Sequence, residues 1–179
     1  MAKVFAAVLV VTVVLIVVMQ FIDPNVDADI IQQTTTSLVN GSISCSIEGE
    51  VVRPGTYMMD ANTTLASLIE VASGVTTNAD ELAYDTSYVL QDGLSFYIAP
   101  KYDNTDVCSL EPIKKVNINQ DDANTLQSVS GIGSTVASKI VSHRNANGQF
   151  KRIEDVKDVS GVGNATFEKI KNYITLRSA

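Results

Sequence analysis

The sequence predicts an α+β chain in three parts: an N-terminal transmembrane helix, a small domain of strands around one helix, and a C-terminal all-α domain. Three observations carry that division. An uninterrupted apolar run fills residues 4–22, strand-forming runs alternate with turn formers over 43–101, and residues 124–144 recur at 154–174. A length of 179 residues suits one ordinary domain or two small ones, and 45% hydrophobic residues exclude wholesale disorder. The formal charge of −7 argues at first against a polyanionic partner. Its distribution argues the other way, because residues 1–112 hold 3 Lys+Arg and 14 Asp+Glu whereas residues 113–179 hold 10 and 6. An acidic part joined to a basic one is the pattern of a nucleic-acid module attached to something else.

The run VFAAVLVVTVVLIVVMQFI, residues 4–22, contains only Thr12 and Gln20 as polar residues. As a helix it reaches about 28 Å, close to the thickness of a bilayer core. Its valines disfavour a helix in water, but lipid requires every backbone group to be bonded internally, which a helix achieves. A buried core helix is the weaker alternative, since the run has no polar face. A cleaved signal peptide needs a small-x-small site that QFIDPNVDA does not supply convincingly. An uncleaved anchor over 4–22 is therefore expected. Lys3 precedes it and Asp23, Asp27 and Asp29 follow, which places the N-terminus in the cytoplasm and the remainder outside. Residues 23–42, rich in Thr, Ser and Asn without apolar period, read as a linker.

From Ile43 two β-rich runs flank Pro54-Gly55, with Val51, Val52, Tyr57 and Met58 as strand candidates. Residues 64–73 place Leu65, Leu68, Ile69 and Ala72 on one helical stripe, entered at Asn62 or Thr63 and ended by Gly74. The run TSYVLQDGLSFYIAP then reads as two strands joined by a tight hairpin at Asp92-Gly93. The phrases GEVVRPGTY, TLASLIEVASG and LQDGLSFYIAP resemble the soluble ligand-binding β-grasp family (SLBB). That resemblance implies a small β-grasp domain over 43–101, in which a helix crosses a mixed sheet. No pocket residues can be named, and a spacer or self-association surface is preferred to a small-molecule site. Cys45 and Cys108 bracket this unit; a disulfide between them and two unpaired thiols are equally open. Residues 102–115 link it to the next domain.

The segments NTLQSVSGIGSTVASKIVSHR and EDVKDVSGVGNATFEKIKNYI align without gaps at an offset of thirty. Each reads as helix, hairpin, helix, an internal duplication spanning 116–176. The hairpin glycines permit positive φ or close backbone approach. Beyond them the first amides of the second helix have no intrahelical acceptor and point outward with the positive end of the helix dipole, which makes a phosphate socket. Two sockets could grip both strands of a duplex, and amides that meet phosphate rather than base edges read no sequence.

VNINQDDANTLQSVSGIG, followed by HRNANGQFKRIEDVKDVSGVG, resembles the tandem helix-hairpin-helix DNA-binding domain of the ComEA family of competence DNA receptors. The succession of anchor, β-grasp unit and duplicated hairpin is similar to its Gram-positive members. The resemblance implies that Gly131, Ile132, Gly133, Gly161, Val162 and Gly163 are hairpin residues presenting amides to phosphate, with Ile132 and Val162 anchoring each turn in the core. It also implies capture of double-stranded DNA for transformation, handed on to a DNA-uptake machinery. Where the family often has proline on either side of the first G-x-G, this chain has Ser130 and Ser134, which is expected to loosen that turn. Ser134, Thr135 and Asn164 can reach phosphate or cap the following helix, capping being preferred.

Lys139 and Lys169 occupy equivalent positions off the apolar stripe of each second helix, and Arg144, Lys151, Arg152, Lys157 and Lys171 surround the repeat. Singly each is a solvated charge; together they read as a DNA-facing patch. Asp121 and Asp122 suit a helix cap better than a catalytic metal site. Two Cys and the single His143, far apart in the chain, make no metal site, and no cofactor or enzymatic activity is expected. The alternative function is a cell-surface structural or interaction protein, whose β-grasp domain binds a glycan or protein partner while the hairpin repeat merely packs.

Overall fold

The computed structural model describes residues 41–103 and 111–178, and residues 42–179 form one compact unit. The expected anchor over 4–22, all but the end of the 23–42 linker, and Cys108 lie outside the described residues.

The β-rich half is built on β1 (Ser42–Gly49), which pairs antiparallel with β2 (Gly55–Asp60) and parallel with β3 (Ser95–Ile98), in the order β2-β1-β3. Alternation along β1 turns Cys45 and Ile47 to the same face. There they meet Leu65 and Leu68 of α1 (Leu65–Val71) and Phe96 and Ile98 of β3 in one buried cluster. The sheet is mixed and carries one helix, as expected, but three local expectations are corrected. Asp92-Gly93 makes a turn without a hairpin. Gly93 donates its amide to Ser44 O (2.8 Å) and the Asp92 carboxylate accepts from Ser44 N (2.8 Å), so the turn docks on β1 and sends β3 out parallel to it. Val51 and Val52 lie between β1 and β2 rather than in them, Val51 making a lone bridge to Val75. The cap of α1 is Thr64 rather than Asn62 or Thr63, and Gly74 follows at φ +93°. Cys45 is a buried free thiol whose Sγ donates to Gln91 O at 3.3 Å.

The helical half contains β4 (Val116–Asn117), α2 (Ala123–Leu126), α3 (Ser134–Asn147), a 3₁₀ helix (Ile153–Asp158), α4 (Asn164–Ile170) and β5 (Ile174–Thr175). Leu126, Ile140, Val156 and Ile170 are fully buried at its centre. β4 and β5 pair in parallel and close the two ends of the duplication on each other. Asn119 reinforces that closure by donating to Phe150 O (2.9 Å) and Leu176 O (3.1 Å) while its carbonyl accepts from Phe150 N (2.8 Å).

The halves share an interface. The outer edge of β3 offers the Tyr97 amide and the Ser95 carbonyl; Glu154 accepts the first and Arg152 Nη1 donates to the second at 3.3 Å. Tyr97 Oη donates to Asn172 (2.7 Å), and Lys115 forms a buried 2.6 Å ion pair with Asp80. Ala83 and Ala99 of the β-rich half belong to the same apolar cluster as the helical core. An unpaired strand edge is thus covered by side chains instead of a further strand.

Candidate nucleic-acid interface

Both repeats reach their turn by the same route. Leu126 and Val129 in the first, Val156 and Val159 in the second, carry the chain down into the core. A glycine at φ +105° follows in each, Gly131 and Gly161, in a left-handed geometry that a Cβ would strain. Ile132 and Val162 then turn inward to 3% exposure apiece. Their amides donate to Val129 O (3.0 Å) and Val159 O (2.9 Å), which shuts the turn. These are the two anchors that the family resemblance implied.

Gly133 and Gly163 are the N-caps of α3 and α4, in ordinary extended backbone. Their carbonyls accept from Ala137 N and Phe167 N at 2.9 Å. Neither can offer a side chain to the first-turn amides, and no side-chain cap bond is made at either helix. The contrast within the domain is α2, where the Asp122 carboxylate accepts from Thr125 N at 2.7 Å. Hydrogen bonding to that backbone amide holds the Asp122 carboxyl below its usual range.

Capping by Ser134, Thr135 and Asn164 is therefore corrected. The helices start at Ser134 and Asn164, so these side chains sit inside the first turn, whereas a cap must come from the residue before it. All three are exposed. Ser130 and Ser134 do not set the first turn apart from the second, since the glycine φ and the extended cap geometry agree between repeats. Burial also agrees residue for residue between 131–140 and 161–170. A Cβ on Gly133 or Gly163 would meet nothing within 4 Å, so open space stands beside two sets of uncapped amides. That arrangement favours an anion that the protein does not itself provide.

Lys139 and Lys169 are exposed, and among the described residues neither forms an ion pair. Lys139 Nζ donates to Ser160 Oγ at 3.3 Å, a partner that sequence spacing did not reveal. The remaining cations are narrowed by the structure. Arg144 donates to Ile118 O (2.8 Å) and Arg152 pairs with Asp155 (2.6 Å) above the Tyr88 and Phe96 rings. Lys171 pairs with Glu168 and lies 4.2 Å from the Tyr97 ring centroid. These three serve the fold; Lys151 and Lys157 are exposed, and Lys157 Nζ stands 5.1 Å from the Phe167 ring centroid. Among the described residues no three His, Cys, Asp or Glu side chains converge as a metal site would require.

A family described as helix-hairpin-helix motif matches residues 111–175. ComE operon protein 1 of Bacillus subtilis is 36% identical over 155 residues, which cover 82% of this chain and 76% of that protein. An uncharacterized protein of Haemophilus influenzae is 41% identical over 61 residues, 34% of this chain and 54% of its own length. The human endonuclease/exonuclease/phosphatase family domain-containing protein 1 is 37% identical over 65 residues, 36% of this chain but 11% of that protein. The last two similarities are about the size of the duplicated domain, whereas the Bacillus similarity extends well beyond it, and on that breadth the chain belongs to the ComEA-like family that includes ComE operon protein 1.

Proposed function

We propose that the protein is a membrane-anchored extracellular receptor that binds double-stranded DNA through its backbone phosphates, without sequence specificity, for DNA uptake in natural transformation. The observation that carries this reading is the pair of glycine N-caps, Gly133 and Gly163, which leave two exposed helix starts uncapped in matching geometry. A polyanion with regularly spaced charges can occupy both at once, and the bare glycines keep no side chain between backbone and phosphate. The β-grasp-like half would hold the domain away from the membrane or mediate self-association, and the bound DNA would pass to an uptake machinery. No covalent step is assigned to the protein.

The test is a gel-shift and salt titration of the purified protein on several duplexes of unrelated sequence. Comparable affinities are expected, with a log-log salt slope of about −4 to −5 if about five phosphates are neutralised. A flat slope, or no shift on any duplex, would favour the alternative in which the β-grasp-like half binds a glycan or protein and the hairpins only pack. Loss of transformation and of surface-bound labelled DNA on gene deletion would tie the binding to uptake.

A further inference from the structure

The second helix of each repeat lies against the hairpin of the other. A Cβ on Gly131 would stand 3.1 Å from Ile170 Cγ2 and 3.5 Å from Lys169 Cβ, both on α4. One on Gly161 would stand 3.6 Å from Val136 Cγ2 and 4.0 Å from Lys139 Nζ, both on α3. The Lys139–Ser160 hydrogen bond completes the crossing. Along its own helix Lys139 is six residues past Gly133, about 9 Å from that cap at the helical rise. The dipole's hold on an anion is confined to the first turn. The Lys139 ammonium is instead held beside the turn of the second repeat, at Ser160 Oγ. Ser130 and Lys169 border one open depression, which Lys114, Glu111 and Asp103 also line.

We propose that each hairpin holds phosphate jointly with the lysine of the opposite repeat, Lys139 acting at the Ser160–Gly163 turn and Lys169 at the Ser130–Gly133 turn. The inference rests on the DNA-binding reading above and adds to it an exchange of charge between the repeats. A hydroxyl partner steers the Lys139 ammonium toward the turn without neutralising it, as a carboxylate would. A Cβ on Gly161 would stand in ordinary contact with the ammonium, at 4.0 Å, which places the ammonium at the turn itself. One consequence is that neither repeat alone is a complete site: the charge for one grip is delivered by the helix that follows the other.

The test is a set of double-variant cycles on the purified full-length protein, read by fluorescence anisotropy with a labelled duplex of mixed sequence. Gly133→Asn and Gly163→Asn supply neutral self-capping side chains where a Cβ meets nothing, so each blocks one turn without adding charge. Lys139→Gln should weaken binding several-fold, reduce the magnitude of the salt slope by about 0.9, and leave the melting temperature unchanged. Lys139→Arg should restore both readouts. In the Gly163→Asn background the further loss from Lys139→Gln should nearly vanish, while in the Gly133→Asn background it should persist in full. The reverse pattern would assign Lys139 to its own repeat and overturn the exchange. A Lys139→Gln variant that melts lower but keeps the slope would overturn it too, leaving a mere interlock. If Gly133→Asn and Gly163→Asn both bind DNA as wild type does, the DNA reading itself fails, an outcome distinct from either.

Discussion

In the first repeat α2 is a four-residue helix capped by Asp122, touching α3 and β4; its counterpart in the second repeat is a six-residue 3₁₀ helix pressed against β3. At the thirty-residue offset Asn124 corresponds to Glu154, the first exposed and the second buried. The second helices diverge as far, with 14 residues in α3 and 7 in α4. Between these unlike supports the hairpins agree in glycine φ, in the absence of a side-chain cap and in burial. The difference shows where each repeat answers to packing and where it does not. First-helix chemistry follows the neighbour each repeat docks on, while the solvent-facing turn keeps one backbone shape.

The sharpest way to break that comparison is to occupy the helix starts. Gly133→Asp with Gly163→Asp places a carboxylate at each cap, where a Cβ is unobstructed. DNA affinity should fall by at least about 100-fold, each substitution contributing about equally, because charge-assisted hydrogen bonds contribute roughly 1.5–3 kcal/mol each. Melting temperature should hold or rise slightly, since Asp caps a helix somewhat better than Gly. Unequal contributions, read by anisotropy, would mean that only one turn meets DNA.

Removing the buried anchors tests the support rather than the contact. Ile132→Ala should destabilise by about 2–4 kcal/mol and Val162→Ala by less, as fewer buried methyl groups are lost, and chemical denaturation measures both. The hairpin glycines then separate the repeats. Gly131→Ala and Gly161→Ala incur the same left-handed strain, about 1–2 kcal/mol. Gly131→Ala additionally crowds Ile170 Cγ2 at 3.1 Å, against 3.6 Å for the nearest atom at Gly161, and should be the more destabilising of the two.

A last difference between the repeats is the pH dependence that Glu154 brings to the second. Burial pushes the Glu154 carboxyl from the usual 4.5 up to about 7, against the opposing hydrogen bond from Tyr97 N. A raised carboxyl pKa means that the folded state keeps a proton the unfolded chain releases, so stability falls as pH rises from about 4.5 to about 7. Glu154→Gln should flatten that slope in thermal melts, while Asn124→Ala, at the equivalent position, should leave it unchanged.

Much of this was legible in the residues. The offset of thirty exposed the duplication and the G-x-G spacing located both turns, because glycine geometry is a local demand, while the inward anchors Ile132 and Val162 came from the family resemblance. Two-residue strands carry no period, so the β4–β5 pairing left no trace. Asp92-Gly93 has the composition of a hairpin turn, and only the long-range docking of that turn on Ser44 redirects β3 into parallel pairing. Cations cannot be sorted by type: Arg152 and Lys169 read alike in sequence, yet one is bound to Asp155 and the β3 edge while the other stays free of ion pairs among the described residues. Glu154 was invisible as a core residue because its burial depends on the exposed edge of a strand nearly sixty residues away.

The most direct measurement is an amide-resolved NMR titration of residues 42–179 with a short duplex of arbitrary sequence. The largest shifts should fall on the amides of Ser134, Thr135, Asn164 and Ala165, in both repeats together and at the same duplex concentration, and a second duplex of unrelated sequence should move the same peaks. Shifts concentrated on the β-rich half, with these four amides unmoved, would contradict the claim that the paired helix starts hold the phosphates.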